Sequence, residues 1–459
     1  MAKEKYTIPV KPGEQMELRV ETLASSGDGL CRHEGYTLFV PAGLPGDTVR
    51  GEIVKTTPRF GVARVLEIVQ PSPDRVEAPC AVFPDCGGCK LQHLDYAKQM
   101  EFKLQSVKDA LERIGKIDLP AEIEAVPADP PYHYRNKGSF ALSHRSGRPQ
   151  IGFFRQGTHE VVDSATCDTL LGPINEIKEW VRGLMRTHRL SIYHEKKHKG
   201  LLRELVVRHS PETQESLLGF VTTSGEFPER FLAELLDRKA LIDRRIVGVV
   251  RNFNDKKTNA IFGDKTETVW GQDFLTDKLG DLEFQLSLTS FFQVNPYQSV
   301  KLYDTVKEWA LETPGPVVDA YCGNGGISLW LAQAGLGVTG IDTLAASIAD
   351  ARESAKRNSL PNCRFVKAPL EEFLAEEGSA GPVSTLIVDP PRKGCSPEVI
   401  EAITKMNVER LIYVSCNPAT LARDLAGLEG YAVKAVKVFD LFPQTPHVET
   451  AVLLNKKTN

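Results

Sequence analysis

Between residues 13 and 70 apolar and polar positions alternate in short runs, MELRVETL, YTLFVPA, TVRGEIVKT and GVARVLEIV, punctuated by Gly27, Gly35, Pro45 and Gly46. A period of two sets one face of each run toward a core, and the closely spaced turns fit a small antiparallel, OB-like β-barrel over residues 1–70. The barrel ends near Gln70-Pro-Ser-Pro-Asp74. The next stretch, 71–290, mixes periods. Helical spacing over Lys98 to Ile114, Pro173 to Thr187 and Pro228 to Leu241 alternates with strand-like LLRELVVRHS, SLLGFVTT and EFQLSLTSFFQV, so a mixed α+β central domain is expected. From 291 to 459, strand-like PVVDAY, VTGID, CRFVKA, STLIVDP, RLIYVSC and AVKVFDL alternate with helix-like ISLWLAQAG, AASIADARESAKRN, SPEVIEAITKM and ATLARDLAGL. That alternation predicts a Rossmann-like, doubly wound α/β sheet.

A length of 459 residues agrees with three domains at roughly 150 residues each. With 56 Lys plus Arg against 60 Asp plus Glu the net charge is −4, so any nucleic-acid surface must be a local patch. The first residues, MAKEKYTIPV, lack the apolar stretch of a secretory signal, and there is no uninterrupted apolar run of membrane-spanning length. A cytoplasmic protein is expected, and its nine Cys then read as thiols, metal ligands or catalytic groups before disulfides.

Asp319-Ala-Tyr-Cys-Gly-Asn-Gly-Gly326 follows a buried strand and opens a helix, and Asp342 ends the next strand. Glycines admit a ligand close to the backbone, and a carboxylate at the second strand's end suits ribose hydroxyls. Ser328 stands where a dinucleotide fingerprint has its last Gly. The acidic residue opening the loop favours a cationic sulfonium, hence S-adenosylmethionine over NAD. Asp389-Pro-Pro-Arg-Lys-Gly394 ends the fourth strand, where two prolines force a turn and present Asp389 and Arg392 at the same edge. Cys416 ends the fifth strand just before a helix, with Asn417 as N-cap and Pro418 in the first turn. A helix N-terminus favours a thiolate, which makes Cys416 a candidate nucleophile; the plain alternative is an inert buried thiol.

Cys80, Cys86 and Cys89 form C-x5-C-x2-C in a Pro- and Gly-rich segment, with Cys167 the nearest later Cys. Four thiolates hold an iron–sulfur cluster or a structural zinc, and the spacing leaves the two open. His194-Glu-Lys-Lys-His198 matches the zinc-protease pattern, but Lys196, Lys197 and Lys199 would repel a metal ion, so it reads as a solvated basic face. Over residues 176–208 nine Lys or Arg outnumber four Glu, and upstream Tyr132 to Phe140 and His144 to Arg148 interleave aromatics with cations. Cations bind phosphate and aromatics stack on unpaired bases, which makes this a candidate RNA face.

Taken together these residues resemble the RNA uracil-C5 methyltransferases, the family that makes 5-methyluridine in ribosomal and transfer RNA. The resemblance spans most of the chain: residues 1–70 look like its TRAM domain, and Phe291-Phe-Gln-Val-Asn295, DAYCGNG, DPPRKG, SCNPATLARDL and FPQTPHVET match its motifs in order. It implies a [4Fe-4S] cluster on Cys80, Cys86, Cys89 and Cys167, and S-adenosylmethionine against Gln293, Tyr321, Asp342 and Asp389. It also implies Cys416 as nucleophile and Glu449 as base. Some members carry Glu in place of Asp342 and Asn in place of Gly326. Uracil C5 is a poor nucleophile; a thiolate adding to C6 turns the ring into an enolate equivalent that attacks the methyl group, after which a base removes the C5 proton. The target base must leave its stack to be reached.

The resemblance points to 23S ribosomal RNA, with transfer RNA as the alternative; a monomer is expected, and since the chemistry needs no redox step the cluster is expected to be structural. The competing readings are a non-catalytic RNA-binding assembly factor, which would not need Cys416, and a nitrogen methyltransferase, which would need neither Cys416 nor Glu449. The helix within 92–125 is expected to pack on the catalytic domain.

Overall fold

The computed structural model describes residues 8–377, 383–406 and 408–457, and the chain divides into two compact units. The first comprises the residues up to Ser106 together with Gln444–Pro446. Its six strands are β1 (Gln15–Arg19), β2 (Thr22–Leu23), β3 (Gly29–His33), β4 (Tyr36–Val40), β5 (Thr48–Thr56) and β6 (Phe60–Gln70), in the order β1-β5-β6-β4-β3-β2. All pairs are antiparallel except β4 with β6, a parallel pairing that the purely antiparallel reading lacked. The alternating apolar positions, Leu18, Val20, Leu38, Val40, Val49 and Ile53 among them, form the buried core. Each contributes about 1.5–3 kcal/mol on burial.

The chain does not leave this unit at residue 70. Asp47 takes the Ser72 and Leu44 N–H groups, each at 2.7 Å, and pairs with Arg75. Burial opposes its charge, but these donors prevail and hold its carboxyl below the usual range. The segment after β6 is thus pinned to the sheet. Further on, Gln444 carbonyl oxygen accepts the Lys90 and Leu91 N–H groups at 3.0 Å, and Gln99 Nε2 donates to Gln444 Oε1.

Helix α1 (Tyr96–Arg113) crosses the division at Ser106. Phe102 packs with Leu44, Leu91 and Leu94 of the first unit, whereas Gly115, just past the helix end, lies against the Ala422 carbonyl of the second. The sequence placed the whole helix with the catalytic part; its residues up to Ser106 instead belong to the first unit and those from Val107 to the second. Strand β7 (Glu124–Val126) follows.

Among its described residues the second unit holds a seven-stranded sheet, an eight-stranded sheet and a two-stranded hairpin. Strands β8 (Lys137–Arg145), β9 (Arg148–Phe154) and β10 (Val161–Asp163) precede helix α2 (Gly172–His188). Then come β11 (Leu202–His209), β12 (Ser216–Thr222), α3 (Glu229–Leu235), α4 (Arg238–Asp243), β13 (Ile246–Phe253) and β14 (Lys265–Gly271). They build a sheet ordered β10-β9-β8-β11-β12-β13-β14. The one helix expected over 228–241 is two, because the Asp237 carboxylate accepts the Ala240 N–H at 2.8 Å and starts α4 afresh.

The candidate RNA face is partly core. Lys178 is fully buried, giving its ammonium to the Ser164 and Ala165 carbonyls at 2.5 and 2.7 Å. Arg208 is buried and donates to the Ser290 carbonyl, and Tyr134 and Phe140 are core residues. Arg186, Arg189, Lys196, Lys197 and Lys199 stay exposed, as do His144, Arg145 and Arg148 at the tip of the β8–β9 hairpin. His194 to His198 form a tight turn, with His194 N–H to Lys199 carbonyl at 2.8 Å. The helix that the zinc-protease pattern requires is not formed there.

The other sheet carries β15 (Phe274–Leu279) and β16 (Leu282–Ser287) as a separate hairpin on its flank, then α5 (Pro296–Leu311). Next are β17 (Val317–Ala320), α6 (Gly326–Gln333), β18 (Val338–Asp342), α7 (Ala345–Arg357), β19 (Cys363–Lys367) and α8 (Leu370–Glu377). The chain ends in β20 (Thr385–Val388), α9 (Pro397–Met406), β21 (Arg410–Ser415), α10 (Pro418–Ala426), β22 (Tyr431–Phe439) and β23 (Glu449–Lys456). The order is β19-β18-β17-β20-β21-β23-β22-β7. Strands β17 to β21 are parallel, and β17, β20 and β21 are buried on both faces, hence the largely apolar VVDA, TLIV and RLIYVS. β23 is antiparallel to both β21 and β22, and β7, drawn from the segment assigned to the central domain, pairs parallel with β22. Leu279, Leu282, Phe284 and Leu286 of the β15–β16 hairpin also belong to this sheet's core, so the division at residue 290 does not hold. Among the described residues no helix is long and apolar enough to cross a membrane.

Candidate active site

The chain reverses direction across the sheet between β17 and β20, the place where open α/β sheets bind ligands beyond their carboxyl ends. The loop after β17 turns through Tyr321, Gly323 and Gly325, all at positive φ (61°, 56° and 87°). Gly325 has no room for a side chain, since a Cβ there would sit 2.8 Å from the Phe365 ring. Asp342, at the end of β18, accepts Gly323 N–H at 3.1 Å and Leu344 N–H at 2.8 Å. Asp319 is buried and takes Ser328 Oγ at 2.5 Å on one oxygen. Its other oxygen and Asn324 Nδ2 are buried without a hydrogen-bond partner among the described residues. Unpaired polar atoms at a Gly-rich turn are what a ligand's polar groups complete, and a carboxylate-lined cleft suits a cationic sulfonium nucleoside.

The loop after β20 is held from α10. Asn417 Nδ2 and Thr420 Oγ1 donate to the Arg392 carbonyl at 3.0 and 3.3 Å. Asp424 accepts Cys395 N–H at 2.8 Å and the Tyr413 hydroxyl at 2.6 Å. Asn417 caps α10, accepting Ala419 N–H at 3.1 Å, with Pro418 in the first turn, as its sequence position suggested.

Cys416 stands one residue beyond β21. In the antiparallel ladder Ser415 faces Thr450, so the next pair along brings Cys416 to Glu449. Asp389, beyond the end of β20, is the third member of this group, and its charge acts on both others. Burial raises the Glu449 carboxyl well above its ordinary value, with Asp389 adding to the effect against the pull of Arg392. Burial and then Asp319 raise Asp389.

One expectation fails here. The sequence argued that the helix N-terminus favours a Cys416 thiolate, yet the thiol is pushed up to about 11, first by burial and then by Glu449 and Asp389. Burial, reinforced by two neighbouring acids, outweighs Arg392 and a helix that starts two residues later.

Of the other sequence-predicted residues, Gln293 is buried between β16 and α5, its carbonyl accepting Asn136 Nδ2 at 3.4 Å. Tyr321 is half-buried, and burial followed by Cys395 raises its phenol. Cys80, Cys86 and Cys89 share one loop of the first unit, with Gly88 N–H directed at Cys86 Sγ (3.5 Å). In the second unit Cys167 Sγ lies 3.2 Å from Thr169 Oγ1. Among the described residues no group of three or more His, Cys, Asp or Glu is arranged to hold a metal ion, although three half-buried thiols on one loop are donors of the kind an iron–sulfur cluster takes. Sequence reasoning read Asp319 as the acid that opens the glycine loop and suits a sulfonium, but did not count it among the cofactor-binding residues.

The buried acids fix a pH dependence. Burial brings Asp319 to about 7, against about 4 for an unfolded aspartate. Between those values the folded protein keeps a proton that the unfolded chain has released, so this stability is present at low pH and lost as pH rises toward 7. Asp319→Asn should therefore stabilise the ligand-free protein on the order of a few kcal/mol at pH 8 and far less at pH 5. Urea unfolding at both pH values tests this, and equal shifts would refute it.

The tRNA (uracil-5-)-methyltransferase family model matches residues 95–457, and the TRAM domain model matches residues 9–66. An uncharacterized RNA methyltransferase of Halalkalibacterium halodurans is 39% identical over 457 residues, 99% of each chain. One from Bacillus cereus is 38% identical, covering 98% of this chain and 99% of its own. Among solved structures, the Pyrococcus abyssi tRNA (uracil-54, C5)-methyltransferase in complex with S-adenosyl-L-homocysteine superposes with a TM-score of 0.78. It is 29% identical, covering 96% of this chain and all of that one.

Proposed function

The chain belongs to the tRNA (uracil-5-)-methyltransferase family, and on that premise we propose that it methylates C5 of a uridine in 23S ribosomal RNA through a covalent Cys416 adduct. Dependence on S-adenosylmethionine and action on RNA come with the family and the TRAM domain. The observation that carries the chemistry is the ladder register that sets Cys416 beside Glu449.

When bound, S-adenosylmethionine supplies a methyl group on a cationic sulfonium. Gln293, Tyr321, Asp342 and Asp389 would hold it, with Asp342 suited to the ribose hydroxyls. The Cys416 thiol gives up its proton to solvent as its sulfur bonds to C6 of the flipped-out uracil, and the C5–C6 double-bond electrons shift to leave C5 nucleophilic. Glu449, whose affinity for protons is raised by burial, then takes the C5 proton, and elimination releases Cys416.

The ribosomal target follows the resemblance to cluster-containing members with a TRAM segment. The observation favouring transfer RNA is the likeness to the Pyrococcus abyssi tRNA enzyme. Labelled S-adenosylmethionine offered with unmodified ribosomal and transfer RNA separates the two. Label at uracil C5 of 23S RNA is expected; label in transfer RNA alone would replace the ribosomal reading, and label on a nitrogen would end the uracil-C5 one.

Cys80, Cys86, Cys89 and Cys167 hold a [4Fe-4S] cluster in this proposal, with a structural part in RNA docking and no redox step. Protein purified without oxygen should contain ~4 iron atoms per chain. Cys86→Ser should lose iron and RNA affinity together; zinc in place of iron, or full RNA affinity without iron, would contradict it.

A further inference from the structure

Gly326 opens α6 directly after the glycine loop, and its lack of a side chain has a specific occupant. A Cβ at that position would lie 2.5 Å from the Tyr303 hydroxyl and 3.1 Å from its Cζ. Tyr303 reaches there from α5, 4% exposed and set edge-on to Trp330 with ring centroids 6.0 Å apart. The phenol is therefore held in one place by packing. Its hydroxyl makes no hydrogen bond to any described residue. Two polar atoms of the neighbouring glycine loop, Asp319 Oδ1 and Asn324 Nδ2, are buried and unpartnered among the described residues. Unpaired polar atoms that gather round one crevice are completed when a ligand's polar groups enter it.

The surroundings say what that partner is. Burial and then the charges of Asp389, Asp319 and Glu449 keep the phenol protonated, so it can only donate or accept as a neutral group at neutral pH. S-adenosylmethionine carries a sulfonium and an ammonium, which the acids of the cleft suit, and one carboxylate, which they repel. An anion in an acidic cleft needs donors, and the first turn of α6 offers backbone N–H groups with the favourable end of the helix dipole.

We propose that the Tyr303 hydroxyl is a cofactor-binding group that donates a hydrogen bond to the amino-acid carboxylate of S-adenosylmethionine, from the space a side chain on residue 326 would otherwise fill. This rests on the reading of the crevice between β17 and β20 as the cofactor cleft. It assigns a binding role to a helix that lies outside every motif of that cleft.

The test is calorimetric, on protein without RNA, using S-adenosylhomocysteine and 5′-methylthioadenosine, which shares the nucleoside but lacks the amino acid. Tyr303→Phe should bind S-adenosylhomocysteine about 10- to 100-fold more weakly, the loss of a hydrogen bond to a charged group. Its affinity for 5′-methylthioadenosine and its unfolding temperature should not change. Unaltered affinity for S-adenosylhomocysteine, or an equal loss for both ligands, would overturn the proposal. Wild-type protein that binds neither nucleoside would instead remove the cofactor-cleft reading on which it stands.

Discussion

Cys416→Ala should abolish methyl transfer, with a loss of about 10^4-fold or more, because in the proposed mechanism its sulfur is the group that adds to C6. The thiol lies one residue past β21, close to Glu449 and Asp389, so removing it takes away the nucleophile and leaves both acids in place. Single-turnover transfer of labelled methyl to unmodified RNA reads the effect. Binding of RNA and of S-adenosylhomocysteine should persist, which separates a lost nucleophile from a lost fold. Transfer that survives would leave a methyltransferase of another kind, one acting on nitrogen; a protein that transfers nothing even as wild type while binding RNA would fit an assembly factor.

Glu449→Gln should stall the reaction later. Addition and methylation need only Cys416 and the bound methyl donor, but release needs a base for the C5 proton. Turnover should fall about 10^2- to 10^4-fold, and a protein–RNA adduct should accumulate that survives denaturing electrophoresis. The adduct should vanish when Cys416→Ala is added. Normal turnover, or slow turnover without an adduct, would give the C5 proton to another base.

Much of this was legible along the chain. The parallel strands of the catalytic sheet announce themselves as apolar runs because both their faces are covered, and DAYCGNG and DPPRKG end such runs at one edge. Asn417 and Pro418 state the start of α10 in their own side chains. What the sequence could not carry was non-local. The parallel β4–β6 pair and the inclusion of β7 in the catalytic sheet depend on partners far along the chain, whereas the break at Asp237 is a local cap that helical periodicity alone passes over. The thiol of Cys416 is non-local too: its flanking helix argues for an anion, and only the fold buries the thiol and then sets two acids beside it to reverse that. The cation count over 176–208 misled for the same reason, since charge says nothing of burial, and Lys178 and Arg208 are core residues. Tyr303 carried no local signal; Gly326 did, as a position where a side chain is missing, but what fills it comes from another helix.

β23 follows both of its neighbours in the chain and yet lies between them. As the polypeptide emerges during synthesis, β21 and β22 are complete while the place between them is still empty, and each presents a bare edge. Cys416 is then already made, but the residue that would free it from a bound uracil is not. Capture of RNA by a half-made chain would be a dead end, so the order of strands ties the release half of the reaction to closure of the sheet.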